Sequence, residues 1–77
     1  MSQTIVQQLD VQGLACPMPI AKAAIAIRSM RPGDRLEVLA TDPGSVPDFA
    51  AWCAKTGNDL LERTEDAGMF RFLILKG

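Results

Sequence analysis

Pro17 and Pro19 bracket Met18 and separate two patterns that cannot belong to one element. Before them, Ile5, Gln7, Leu9 and Val11 alternate with Val6, Gln8 and Asp10, the two-residue period of a partly buried strand, and Gly13 breaks the pattern. After them, Ile20, Ala23, Ala24, Ile27 and Met30 recur at helical spacing while Lys22, Arg28 and Ser29 point elsewhere, and the alanines favour helix. Pro17 suits the first helical position, where a missing N–H costs nothing. Pro19 biases Met18 away from helical dihedrals, so the helix should begin irregularly. The chain must therefore turn from strand to helix through a short, stiffened loop.

The same two periods alternate along the rest of the chain. Arg31-Pro32-Gly33-Asp34 ends the first helix in a turn, and Leu36, Val38 and Ala40 alternate with Glu37 and Leu39 as a second strand. After the loop Thr41-Asp42-Pro43-Gly44, Ser45 followed by Asp48 resembles a capping box with Asp where Glu is usual. The helix it opens carries Phe49, Trp52, Cys53 and Thr56 on one face and stops at Gly57-Asn58. Residues 60–64 and 69–76 read as strands joined by Glu65-Asp66-Ala67-Gly68. The order β-α-β-α-β-β, with right-handed crossovers joining parallel strands, predicts an α+β fold. Its form is a two-layer α/β sandwich, a four-stranded mixed sheet with two helices on one face. Seventy-seven residues, 48% of them apolar and 22% charged, make residues 1–77 a single folded domain.

Parallel first and second strands bring the loops that follow them to one edge, where ligand chemistry gathers in open α/β sheets. Those loops are Gly13-Leu14-Ala15-Cys16 and Thr41-Asp42-Pro43-Gly44-Ser45. Both helices start at this edge, and a helix start favours an anion. Cys16 occupies the expected N-cap position, so a lowered thiol pKa is expected, with the nearby Asp42 carboxylate opposing it. The chain has no histidine, which excludes Cys–His and Ser–His–Asp mechanisms. With two cysteines and no histidine, one chain cannot complete a four-ligand structural zinc site. What remains is a presented nucleophile with no base beside it. Such a thiol can hold a group and pass it on, and a persulfide suits that role.

Gly13-Leu14-Ala15-Cys16-Pro17-Met18-Pro19 matches the G-L-x-C-P-x-P signature of the TusA (SirA-like) sulfur carrier family. The Arg31-Pro32-Gly33-Asp34 turn, the Thr41-Asp42-Pro43 loop and the Phe70-Arg71-Phe72 strand also resemble that family. The likeness runs from about Leu9 to Lys76. It implies the β-α-β-α-β-β sandwich and a persulfide carried on Cys16, with no cofactor beyond that covalent sulfur. Gly13, Leu14, Pro17, Met18, Pro19 and Asp42 are its motif and supporting positions. It also implies a sulfur donor protein, a cysteine desulfurase or a rhodanese, and an acceptor sulfur carrier of the DsrE/TusD-like kind. Uses within the family include tRNA thiolation, molybdenum cofactor supply and dissimilatory sulfur metabolism.

Other side chains have plainer readings. Cys53 shares a helix face with Phe49 and Thr56 and is expected in the core, the alternative being a resolving thiol. Trp52 and Phe49 are read as core. Asp42 is either a turn former or a partner contact, and Met18 either a partner contact or a plain exposed side chain. Lys22, Arg28, Arg31 and Arg35 face only Asp34 in their segment, which suggests either a solvated face or a basic surface near Cys16 that steers acidic partners. Rival readings are a nucleic-acid or regulatory interaction module, whose sandwich the C-terminal domain of a translation initiation factor resembles, and a thiol redox protein using Cys16 and Cys53. Eight Lys+Arg against nine Asp+Glu, one tryptophan and no tyrosine count against nucleic acid. The N-terminus shows no secretory signal and no stretch could span a bilayer, so a cytoplasmic protein is expected.

Overall fold

The computed structural model describes residues 6–77. Ile5, included in the expected first strand, lies outside the described residues. The elements follow in the order β1 (Val6–Asp10), α1 (Met18–Arg28), β2 (Arg35–Ala40), α2 (Ser45–Thr56), β3 (Asp59–Asp66) and β4 (Met69–Leu75). The sheet order is β1-β2-β4-β3. β1 runs parallel to β2, in the register Val6–Arg35 to Asp10–Leu39, and β4 pairs antiparallel with both β2 and β3. This is the α+β, four-stranded mixed sheet with two helices that the alternating periods predict.

The core forms where β2 and β4 present their inward residues to the helices. Leu36, Val38 and Ala40 from β2 meet Phe70, Phe72 and Ile74 from β4, beneath Ala23 and Ile27 of α1 and Phe49 and Cys53 of α2. Phe49 stacks on Phe72 at 4.7 Å between ring centroids and meets the edge of the half-buried Trp52 at 6.0 Å. On the opposite face of the sheet, Glu37 accepts from Gln8 at 2.7 Å and pairs with Arg71. These partners hold the Glu37 carboxyl below its usual range, Gln8 contributing most.

Three expectations shift in detail. β1 is more exposed than a partly buried strand, because it is an edge strand: Val6 is open to solvent, and only Leu9, with Val11 just beyond the strand, reaches the core. α1 begins at Met18, with Pro17 as the N-cap residue, and its last residue is Arg28, with Met30 buried beyond its end. β3 and β4 form a longer hairpin than expected. β3 continues to Asp66, leaving only Ala67 and Gly68 in the turn at φ of 50° and 83°. Two consecutive positive φ values match the right-handed strand twist of a two-residue turn. Pairing with β4 therefore extends β3 through a polar stretch that its composition does not mark.

The C-terminal end of α1 is held by a distant part of the chain. The Lys76 ammonium donates to the carbonyls of Ile27 at 2.7 Å and Met30 at 2.6 Å. The Lys76 backbone in turn exchanges hydrogen bonds with the 31–34 turn, from Gly33 N–H to Lys76 C=O and from Lys76 N–H to Asp34 C=O, each 2.9 Å.

Candidate functional site

Parallel pairing of β1 and β2 brings residues 11–17 and 41–44 side by side. The Val11 N–H extends the ladder to the Leu39 carbonyl at 2.8 Å, and Leu14 N–H returns to Val11 C=O at 3.2 Å. Gly13 closes this turn at φ +82°, a region a side chain would strain, and its N–H donates to Thr41 Oγ1 at 2.8 Å. Leu14 is half-buried and packs on the core, which pins the loop beneath Cys16. The loops enclose a shallow, open depression of about 240 Å³ lined by Gly13, Leu14, Ala15, Thr41, Asp42 and Pro43.

Asp42 ties the two loops together. Its Oδ2 accepts the Cys16 N–H at 2.9 Å and its Oδ1 accepts the Gly44 N–H at 3.3 Å. Its carbonyl accepts the Ser45 N–H at 2.9 Å, which starts α2. Asp42 is thus a turn former that also holds the backbone of the thiol-bearing residue. Around Cys16, the peptide to Pro17 is cis, Pro17 is exposed and Met18 is 45% exposed, whereas Pro19 is buried and anchors the helix start in the core.

The Cys16 thiol is exposed and donates to Asp48 Oδ2 at 2.8 Å. Its pKa is pushed above the ordinary thiol value, first by that hydrogen bond, then by partial desolvation, then by the charges of Asp48 and Asp42. This overturns the expected lowering. The reason lies in which donors the helix start offers. Pro17 and Pro19 have no N–H, and the N–H of Met18 is bonded to the Ala15 carbonyl at 3.0 Å. A helix end carries about half a charge, so a full carboxylate in contact with the sulfur outweighs it.

Asp48 is the site residue that the sequence reading missed. The capping-box interpretation assigned it to the helix backbone, but the N-cap of α2 is Gly44 and no side chain caps it. Ser45 is 1% exposed, and its Oγ has no hydrogen-bond partner among the described residues. The signal was present nonetheless, because the first turn of α2 begins at the edge where Cys16 is presented and Asp48 is the acidic residue in that turn.

Other expected features fall elsewhere. Cys53 is 2% exposed and a free thiol, and burial pushes its pKa up to about 11, with the Asp59 charge adding to it. Lys22, Arg28, Arg31 and Arg35 are all exposed. Arg31 and Arg35 sit at the opposite end of the sheet, where α1 has ended and β2 begins, roughly 16 Å away along an eleven-residue helix. Among the described residues no group of three His, Cys, Asp or Glu side chains could hold a metal ion.

Comparison with known proteins matches residues 7–76 to the family described as sulfurtransferase TusA. The sulfur carrier protein TusA of Allochromatium vinosum is 51% identical over 70 residues, covering 91% of this chain and 92% of that protein. The putative sulfur carrier protein YrkI of Bacillus subtilis is 46% identical over 69 residues, covering 90% and 92%. The crystal structure of a SirA-like protein from Desulfitobacterium hafniense superimposes with a TM-score of 0.80 over 95% of this chain and 99% of that one. At 23% identity, that last likeness speaks to the fold alone.

Proposed function

Because the chain belongs to the sulfurtransferase TusA family, we propose that it is a sulfur carrier whose single domain holds sulfane sulfur as a persulfide on Cys16 and passes it to a partner protein. The observation that carries this reading is the position of Cys16: the motif cysteine of a matched family, exposed, with its backbone anchored to Asp42. A carrier sulfur must be reachable by two proteins in turn, and an exposed thiol in a short loop meets that need.

In this reading, a donor protein, a cysteine desulfurase or a rhodanese, presents a persulfide and Cys16 takes its outer sulfur. An acceptor carrier of the DsrE/TusD-like kind then removes it. The relay supplies tRNA thiolation, cofactor sulfur or dissimilatory sulfur metabolism. The parts of the chain divide the work: Gly13 and Leu14 set the loop's path, Pro19 anchors it to the core, and Pro17 and Met18 present apolar surface beside the sulfur. The proposed compartment is the cytoplasm, where thiols are kept reduced, and among the described residues no helix is long and apolar enough to cross a membrane.

The test is intact-mass analysis after incubation with a desulfurase and cysteine, or with a rhodanese and thiosulfate. The wild-type chain should gain sulfur that a thiol reductant removes, and Cys16→Ser should gain none while melting at nearly the same temperature. A Ser variant that still gains reductant-sensitive mass overturns the assignment of Cys16.

A further inference from the structure

We propose that Asp48 is a catalytic residue of the transfer, taking the proton from the Cys16 thiol as sulfur arrives and returning it to the thiolate that leaves. This rests on the carrier reading above. The geometry is direct: Asp48 Oδ2 lies 2.8 Å from the Cys16 sulfur, within the range a general base needs. The other carboxylate at the site is committed elsewhere, since both oxygens of Asp42 accept backbone N–H groups, from Cys16 and from Gly44. No histidine exists to take the role.

The chemistry calls for such a group. Sulfur transfer runs through a thiolate nucleophile, yet the carboxylates around Cys16 hold it as the neutral thiol. An unassisted attack would draw on a small thiolate population. If the proton moves onto Asp48 while the new S–S bond forms, the free thiolate need never accumulate. In loading, the Cys16 sulfur bonds to the outer sulfur of the donor persulfide, R–S–S⁻, and the donor's S–S bond breaks. The proton passes through Asp48 to the departing R–S⁻, so that Cys16–SH and R–S–S⁻ become Cys16–S–S⁻ and R–SH. Unloading to an acceptor thiol is the same exchange reversed, with Asp48 returning a proton to the Cys16 sulfur as it is released. No oxidant or reductant is consumed. The arrangement also separates two kinds of reaction at the sulfur. Electrophiles that need a free thiolate meet a thiol, whereas exchange with a leaving thiolate makes use of the proton that Asp48 handles.

That separation gives the test. Iodide leaves without a proton, so iodoacetamide labelling of Cys16 reads thiolate population alone. Transfer from glutathione persulfide, a donor too small to depend on protein docking, reads the proton path as well. Both rates are measured at pH 7 for the full chain with Cys53→Ala as background, so that Cys16 is the sole thiol. In Asp48→Asn, labelling should rise about threefold or more, because the carboxylate that held the thiol is gone. The ratio of sulfur loading to labelling should fall about a hundredfold, at the low end of general acid–base contributions. Asp48→Glu, which keeps a carboxylate one methylene further out, should recover part of the ratio. If the Asn variant does not fold, Asp48→Ser removes the same carboxylate and gives the same comparison. An unchanged ratio in the variant that lacks the carboxylate would mean that Asp48 only restrains the thiol, and the proposal is overturned while the carrier reading stands. A wild-type chain that takes no sulfur from glutathione persulfide, from a desulfurase or from a rhodanese overturns the carrier reading, and the role of Asp48 with it.

Discussion

Replacing Lys76 by methionine should destabilise the protein by about 2 kcal/mol, although Lys76 lies beyond every helix and strand. Its ammonium donates to the carbonyls of Ile27 and Met30 at 2.7 and 2.6 Å, where α1 ends. Charge-assisted hydrogen bonds contribute roughly 1.5–3 kcal/mol each when well formed, and a cation at a helix C-terminus adds about 0.3–1 kcal/mol. Two bonds from one partly exposed ammonium share a single desolvation cost. The Ile27 carbonyl also keeps its backbone partner Met30 N–H at 3.1 Å, so the sum is discounted to about 2 kcal/mol. Methionine retains the unbranched stem and removes only the charge and the donors. For a chain of this length 1 kcal/mol corresponds to about 6 °C, so thermal unfolding should begin from a midpoint lowered by about 12 °C. Urea titration should show the same loss with an unchanged slope. A variant within about 0.5 kcal/mol of wild type would refute the inference that Lys76 caps α1, since this value is the ordinary scatter of surface substitutions.

Cys53→Ala should cost about 1 kcal/mol or more by leaving a small void beneath Phe49, and should leave sulfur loading intact by the mass assay. The folded-state pKa of Cys53 is raised, so its contribution is complete below about pH 8.5 and is lost as pH climbs toward 11. Urea midpoints measured from pH 8 to 11 should therefore fall less steeply in Cys53→Ala than in wild type, and identical slopes would contradict the burial argument. Ser45→Ala should leave stability unchanged or raise it by up to about 1 kcal/mol, because it removes a buried hydroxyl with no partner among the described residues. A loss of more than 1 kcal/mol would show that this hydroxyl is satisfied in solution. Cys16 in the wild-type chain should react with iodoacetamide more slowly at pH 7 than a cysteine in a short unstructured peptide, and faster reaction would mean that the helix start outweighs Asp48.

Much of the protein is legible in one dimension because its signals are local. The period of two at Leu36, Val38 and Ala40 and the helical spacing of Ala23 and Ile27 follow from which face of an element meets the core, and each of these residues is buried. Glycine at 57 ends α2 at φ 77°, where only backbone preference is at issue. The Cys16 motif, its loop and the edge that presents it follow from element order and the handedness of crossovers. Other features depended on residues distant in sequence meeting in space. The extent of β3 came from pairing with β4, and the end of α1 is capped by a lysine 49 positions from Ile27. Above all, the state of the Cys16 thiol was decided by a carboxylate 32 positions away. Read in sequence, Ser45 and Asp48 look like a local cap, since that motif needs nothing beyond four residues. Folding instead buries the Ser45 hydroxyl and brings Asp48 to the sulfur, reversing the sign of the expected pKa shift. Electrostatic energy depends on through-space distance, so the chain's own order could place Cys16 at a helix start but only the packing of α2 against the first loop could decide which charge it meets.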